Sequence, residues 1–375
     1  MSFVYSIPTT GSISFSEFLL DQDKLYLNGI SEATAQRGRV RAVLKEANKT
    51  EGPIDYTKII KTVDDYLPYL LAIVDCLECG QLKLKKEIET SWRCSLTDSV
   101  LNKKKKPRVS CKGIYYELIF TLLTYGYTCS DWATSIIERQ TNKDEMDLKL
   151  RQAADLLRKA SGIFAYITEN ISPRWENPPN SRPLDVLTEI STSLSKIALA
   201  DASSIAIRKA LMQQKSSSLL AKLAIGVAVE YESANGLLNS LKDPQKVCGN
   251  FRKYVSNGAL FHQSLGKKFL AKDAYEHQKI GTAVGFIKEA REAFHQISKS
   301  KSSTLAIHAS QEYTEVNDLY NIPSRADLQA LIPGGRIVQE LTKYSKPDPA
   351  FGPYKEQQIE SAALNSLPFV SYFAN

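Results

Sequence analysis

Few residues in this sequence stand at spacings that could do chemistry. Cys76 and Cys79 form a CxxC, the spacing of half a zinc site or of a redox pair. No second CxxC and no His pair accompany it, and it closes an apolar helical stretch, so it reads as two structural thiols with no metal. His262, His277, His295 and His308 are spread along helical segments without an HExxH. Lacking a convergent Ser, Cys or paired carboxylate, they read as surface or core residues rather than acid–base groups. Gly334-Gly335 is too short to cradle a phosphate, and there is no GxxxxGK[ST] loop. An enzyme is the least expected class, and no cofactor is implied. The densest charge is Lys103, Lys104, Lys105 and Lys106, with Arg108 after Pro107. This reads as an exposed basic loop, solvated or touching anionic lipid at roughly 1 kcal/mol per basic residue near the surface. No basic stripe is interleaved with aromatics, so nucleic acid is not an expected partner.

The elements that must carry these residues are mostly helical. The 375 residues are 43% hydrophobic and 24% charged, enough for a sizeable core. No Pro/Gly/Ser-rich linker divides the chain, which predicts a single domain over 1–375. Within it, 1–112 holds N-terminal strands and helices with the basic loop, 113–300 a helical solenoid core, and 301–375 a docked C-terminal segment. The balance of 48 Lys and Arg against 41 Asp and Glu gives a net charge of +7, which permits a basic face without demanding one. The six cysteines show no framework spacing and are expected reduced. No basic segment followed by an apolar run opens the chain, and no stretch of about 18 apolar residues occurs. A cytoplasmic protein with only peripheral membrane contact is expected.

Along the chain, Ile13 and Phe15 alternate with serines, which predicts a strand or edge ribbon within 3–20. Ile59, Val63, Tyr66, Leu67, Leu70, Ile73 and Val74 make a helical stripe over 56–77, with a kink or break expected at Pro68. A strand pair is expected around Trp92, an apolar helix over 114–137, and another opened by Asp144, Glu145 and Asp147 that runs to about 168. The prolines of 177–183 make a connector. From 184 to 241 two helices are expected, broken near 213–217, and a single long helix follows over about 255–298. A proline-bearing segment then lies over the body and ends in a short helix at 355–364. In the 184–241 pair, Leu220, Val227, Tyr231, Ala234 and Leu238 form a buried stripe. Leu219 and Ile225 lie off it and Leu223 lies at its edge, so a second layer or a partner must cover them.

Several segments, in order, resemble one family. ALADASSIAIRKALMQQKSSSLLAKLAIGVAVEYESA (198–234) is similar to the signature helix pair of the Bro-one domain of Alix-like, ESCRT-associated proteins. LFHQSLGKKFLAKDAYEHQKIGTAVGFIKEAREAF (260–294) resembles its next long helix, and NDLYNIPSRADLQALIPGGRIV (317–338) its docked segment. IETSWRCSLTDSV and YYELIFTLLTYGYTCSDWA are similar to its Trp-bearing strand and following helix. SIPTTGSISFSEFL, DYLPYLL and PGGRIVQELTKYSKPDPAFGPY look most like the PalC-type fungal pH-response members. The resemblance implies an all-α, curved body with a tetratricopeptide-like solenoid core and a small N-terminal β-sheet. It also implies a non-enzymatic adaptor joining a Snf-seven-type ESCRT-III filament subunit to a plasma-membrane pH-sensing complex. Recruitment to the cell cortex follows from that role, whereas an Alix-type cargo adaptor would work at the endosome; direct binding of anionic lipid is a third alternative.

The family's docking patch receives the amphipathic C-terminal helix of the ESCRT-III subunit. Carried over, it falls on Leu219 and Leu223, on Asp147 and Leu148, and on Ile337 or Val338, with Ala206 where Alix-like members have a large aromatic. The Ala206 departure implies weaker binding of the same helix or preference for another. Lys215 and Lys222 flank the leucines and are placed to meet acidic residues of that helix.

Overall fold

A computed structural model of the chain describes residues 2–49, 52–98, 106–138, 143–299 and 323–354. Its helices are α1 (Leu27–Ala47), α2 (Tyr56–Glu78), α3 (Ile114–Glu138), α4 (Lys143–Tyr166), α5 (Thr188–Met212), α6 (Ser217–Asn239), α7 (Gly249–Glu276), α8 (Ile280–Lys299) and α9 (Arg325–Ala330). Each of α1 to α8 packs on its neighbours in sequence, the pattern of a solenoid of helical hairpins. Two small antiparallel pairs accompany them: β1 (Leu19–Leu20) with β2 (Lys83–Leu84), and β3 (Glu89–Arg93) with β4 (Arg108–Lys112). In the second pair Trp92 lies opposite Val109.

The helices form where the stripes require. On α2, Ile59, Val63, Tyr66, Leu67 and Leu70 are buried, and Asp55 caps the first turn by accepting from the Lys58 N–H. Of the kink or break expected at Pro68, the break does not occur: the helix runs on through it. Helix α3 is buried almost all round, yet carries hydroxyls. Thr121, Thr124, Thr128 and Thr134 donate to the carbonyls one turn back at 2.7 to 3.1 Å, which satisfies them inside the core.

A buried carboxylate joins the N-terminal elements. Glu117 on α3 accepts from Arg37 of α1 at 2.7 and 3.1 Å, Tyr66 of α2 at 3.1 Å and Trp92 of β3 at 2.7 Å. The same guanidinium donates to the Gly11 carbonyl at 2.7 Å and to Thr10 at 2.5 Å, so one ion pair fixes α1, α2, α3, β3 and the N-terminal segment together. That segment is not the expected ribbon over 3–20. Thr10 makes an isolated bridge to Trp92, Phe15–Glu17 is a single 3-10 turn, and only Leu19–Leu20 pairs as a strand.

The single helix expected over 255–298 is two. Gln278 adopts a left-handed conformation with φ of 60°, and the Lys279 N–H donates to the Ala274 carbonyl at 2.9 Å, ending α7 before α8 begins. The turn between α5 and α6 repeats this device: Gln214 has φ of 52° and Lys215 N–H reaches the Ala210 carbonyl at 3.0 Å.

The segment 332–354 is a strap without helix or strand that crosses the helices in reverse order. The Arg336 N–H donates to the Lys222 carbonyl of α6 at 2.9 Å, Thr342 to Arg158 of α4 at 3.1 Å, and Ala350 to Pro68 of α2 at 3.0 Å. Its aromatics then seat on the first helices. Tyr344 meets Tyr166 and Tyr125, Phe351 meets Tyr26, and Tyr354 stacks on Tyr26. The strap is thus held by backbone bonds and ring contacts along its length; the short helix expected at 355–364 lies outside the described residues.

Candidate functional site

Helices α4, α5 and α6 form the framework for the predicted docking residues. Lys209 of α5 pairs with Asp147 of α4 at 2.8 Å, while Ser161 of α4 donates to the Ser195 carbonyl at 2.9 Å. Residue numbers rise on one helix as they fall on the other, so α4 and α5 are antiparallel. Ser193 donating to the Ala234 carbonyl at 3.3 Å and Tyr231 donating to Asp201 show the same for α5 and α6. Helices α4 and α6 therefore run parallel, with α5 between them. The strap spans both, bonding at Arg158 and Lys222.

Leu148 lies fourteen residues before Gly162, the α4 residue that the strap meets at Thr342, about 21 Å along the axis at 1.5 Å per residue and within about 40° of its phase. Leu219 lies one turn before Lys222 on α6. Both thus stand on strap-facing stripes, N-terminal to the crossing. Leu148 is 58% exposed; Leu219 is half-buried and packs against the main core. From the strap, Val338 is 43% exposed and Ile337 half-buried. Between them on α5, Ala206 and Ala210 are half-buried and one turn apart, with the half-buried Leu199 two turns before Ala206. These two small side chains thus stand on the helix that packs between that of Leu148 and that of Leu219.

Two predicted residues have other duties. Leu223 is 5% exposed and belongs to the core, so it supports the wall from beneath and is not a surface anchor beside Leu219. The expectation that both leucines enter one groove is corrected accordingly: Leu223 points to the interior side of α6, with Ala224 and Val227. Asp147 is engaged by Lys209 at 2.8 Å and Arg151 at 2.8 Å, and Lys209 above all holds its carboxyl below the usual range. It fixes the start of α4 against the end of α5 instead of standing free. Lys215 and Lys222 are exposed, one turn either side of Leu219, and neither is in an ion pair among the described residues.

The sequence reading missed Leu211 and Met212, 44% and 52% exposed at the end of α5, and Leu341, 37% exposed on the strap. The signal was present: two apolar residues immediately before the polar run that ends α5. With Leu148 and Val338 they give this region a concentration of exposed apolar side chains.

The other flagged residues do not converge. Lys103, Lys104 and Lys105 lie outside the described residues, as does His308. Lys106 is paired with Asp98 at 2.7 Å, and Arg108 bonds to Ser91 and Thr9. Cys76 is buried, and burial raises its thiol to about 12, while Cys79 is exposed. His262 is buried, its Nδ1 against the Gly258 carbonyl at 2.9 Å and its Nε2 against Ser204 at 2.8 Å. No group of three or more His, Cys, Asp or Glu suited to a metal occurs among the described residues, nor a helix long and apolar enough to cross a membrane.

Comparison with known proteins agrees with this architecture. The chain is 28% identical over 373 residues to a pH-response regulator protein palC of Cryptococcus neoformans, covering 80% of this chain and 76% of that protein. It is 24% identical over 347 residues to the palC of Emericella nidulans, covering 78% and 68%. It is 27% identical over 277 residues to the palC of Yarrowia lipolytica, covering 68% of this chain and 60% of that protein. Among solved structures, an ALIX BRO1 complex with CHMP4C superposes with a TM-score of 0.65 at 17% identity, covering 93% of this chain and 97% of that one. ALIX in complex with a viral late domain gives 0.66 at 16% identity, covering 93% of this chain and 50% of that one. The BRO1-like domain family model matches residues 32–325. A solenoid of helical hairpins, a Trp-bearing strand pair and a docked strap thus come with a family match over most of the chain, which belongs to the BRO1-like domain family.

Proposed function

We propose that this protein is a non-enzymatic adaptor that binds the amphipathic C-terminal helix of a Snf-seven-type ESCRT-III subunit and acts in fungal alkaline-pH signalling. The observation that carries the reading is the set of exposed apolar side chains on α4, α5 and the strap beside the half-buried Leu219 of α6, flanked by the uncompensated cations Lys215 and Lys222. An amphipathic helix seats its apolar face in such a trough and meets the lysines with acidic residues at its edge. The small side chains of Ala206 and Ala210 admit the helix backbone closely. Support comes from the ALIX BRO1 neighbour solved with CHMP4C and from relatives named as pH-response regulators. The palC names favour a cytoplasmic protein recruited to a pH-sensing complex at the cell cortex over an endosomal cargo adaptor.

The test is a pull-down of the full-length ESCRT-III subunit by the wild-type chain and by Leu148→Asp. Leu148 is exposed, so the variant keeps the fold while placing a charge in the trough. Capture is expected to fall about tenfold or more; undiminished capture removes α4 from the site. In fungal cells shifted to alkaline medium, a tagged chain is expected in cortical puncta, and accumulation on late endosomes alone would overturn the signalling role.

A further inference from the structure

A second concavity, of about 590 Å³, opens between the N-terminal segment, the C-terminal half of α1 and the β3–β4 pair. Arg41 and Lys45 enter it from α1 and Lys49 from just past its end, Arg93 from β3 and Arg108 from β4; Lys106, paired with Asp98, also lines it, and no carboxylate does. The docking trough plays no part in it. The walls are built and fixed. At one end of the α1 face Arg37 donates to the Gly11 carbonyl at 2.7 Å, and at the other Asn48 donates to the Ile7 carbonyl at 3.1 Å. Arg41 and Lys45 lie on that same face between the two anchors, one and two turns beyond Arg37.

The strand arginines are held by neutral acceptors. Arg108 donates to Thr9 Oγ1 at 2.9 Å and to the Ser91 carbonyl at 3.2 Å, and Arg93 to the Lys106 carbonyl at 2.9 Å. These bonds orient the guanidinium planes and leave their charges uncompensated. Carboxylates nearby in sequence are engaged by other cations: Glu46 with Lys58 at 2.8 Å, and Asp98 with Lys106 at the cleft's edge at 2.7 Å and with the Gly249 N–H at 3.2 Å. Among the described residues, none of the five cations is in an ion pair. Partial burial, then the charges of Arg93 and Arg41, lowers the pKa of Arg108 from its ordinary value, as crowding of like charge requires.

Five cations converging from three elements exceed what a single phosphodiester or carboxylate can satisfy, and planar guanidiniums match phosphate oxygens in pairs. We propose that this cleft is an anion site for a ligand bearing clustered phosphate monoesters, of the inositol-phosphate class, presented by a lipid headgroup or free in solution.

The experiment uses the full chain and two probes: vesicles containing a phosphoinositide, with phosphatidylserine vesicles of equal surface charge as reference, and soluble inositol hexakisphosphate. Arg41→Gln/Lys45→Gln is compared with Lys61→Gln/Lys112→Gln, which removes the same charge elsewhere on the surface. Neither Arg41 nor Lys45 bonds another described residue, and thermal unfolding confirms that each variant is folded. The first variant is expected to weaken binding of the phosphoinositide vesicles or of inositol hexakisphosphate about tenfold or more, with the second unchanged. Such binding to vesicles alone assigns the lipid source, and to the soluble probe alone the free one; either upholds the site. Equal binding of phosphatidylserine vesicles, equal losses in both variants, or no binding of either phosphorylated probe overturns it.

Discussion

A Cβ added to Gly335 of the strap would lie 2.7 Å from the Cα of Gly226 on α6, so strap and helix meet backbone to backbone. The approach is repeated on α4, where a Cβ on Gly162 would fall within 1.8 Å of the Thr342 carbonyl oxygen. In both places the strap donates to the helix carbonyl four residues before the glycine, Lys222 before Gly226 and Arg158 before Gly162. A side chain at either glycine would cover that carbonyl. At the third crossing, Pro68 on α2, the residue four on is Ala72, which is fully buried.

Gly226→Ala should therefore lift the strap while leaving the helices folded. A destabilisation of about 1–3 kcal/mol is expected, with new protease cleavage between 332 and 345 as the direct readout. A variant whose strap stays as resistant as wild type would show that the close approach is not needed. Because Val338 lies on the strap, the same variant should also weaken the ESCRT-III helix.

Glu117→Ala removes the acceptor for Arg37, Tyr66 and Trp92 at once and leaves the Arg37 guanidinium buried at 1% exposure. Breaking a buried pair from one side costs about 3–5 kcal/mol. Urea denaturation should show that loss, with Trp92 fluorescence reporting the change.

His262 has its pKa lowered to about 4 by burial, against 6.5 ordinarily. Below 6.5 the unfolded chain takes up a proton that the folded chain refuses, so this group destabilises the fold as pH falls towards 4. Relative to His262→Gln, the wild type should lose about 2–3 kcal/mol between pH 7 and pH 4.5. Parallel pH profiles for the two proteins would contradict the buried neutral imidazole.

Much of this was legible in periodicity. The stripes of α2, α3 and α6 are strong because those helices bury wide apolar faces. Helix α1 was missed because it carries Gln36 and Arg37 on its buried face; the arginine is explained only by Glu117, eighty residues away. The α7–α8 break was missed although Gln278 and Lys279 repeat Gln214 and Lys215. Serines after the first pair advertise a turn, whereas Ile280 after the second continues the stripe. Local sequence does not disclose whether a leucine at the edge of a stripe is covered. Leu219 and Leu223 are a turn apart, yet the packing around α6 leaves one half-open and buries the other.

Leu219 tests the account most directly. A titration of the ESCRT-III C-terminal helix, followed by fluorescence anisotropy, is predicted to give a Kd about tenfold or more weaker for Leu219→Asp than for wild type. The thermal unfolding of that variant is predicted to stay cooperative. A folded Leu219→Asp protein that binds the helix as tightly as wild type would contradict the docking site on α4, α5 and α6.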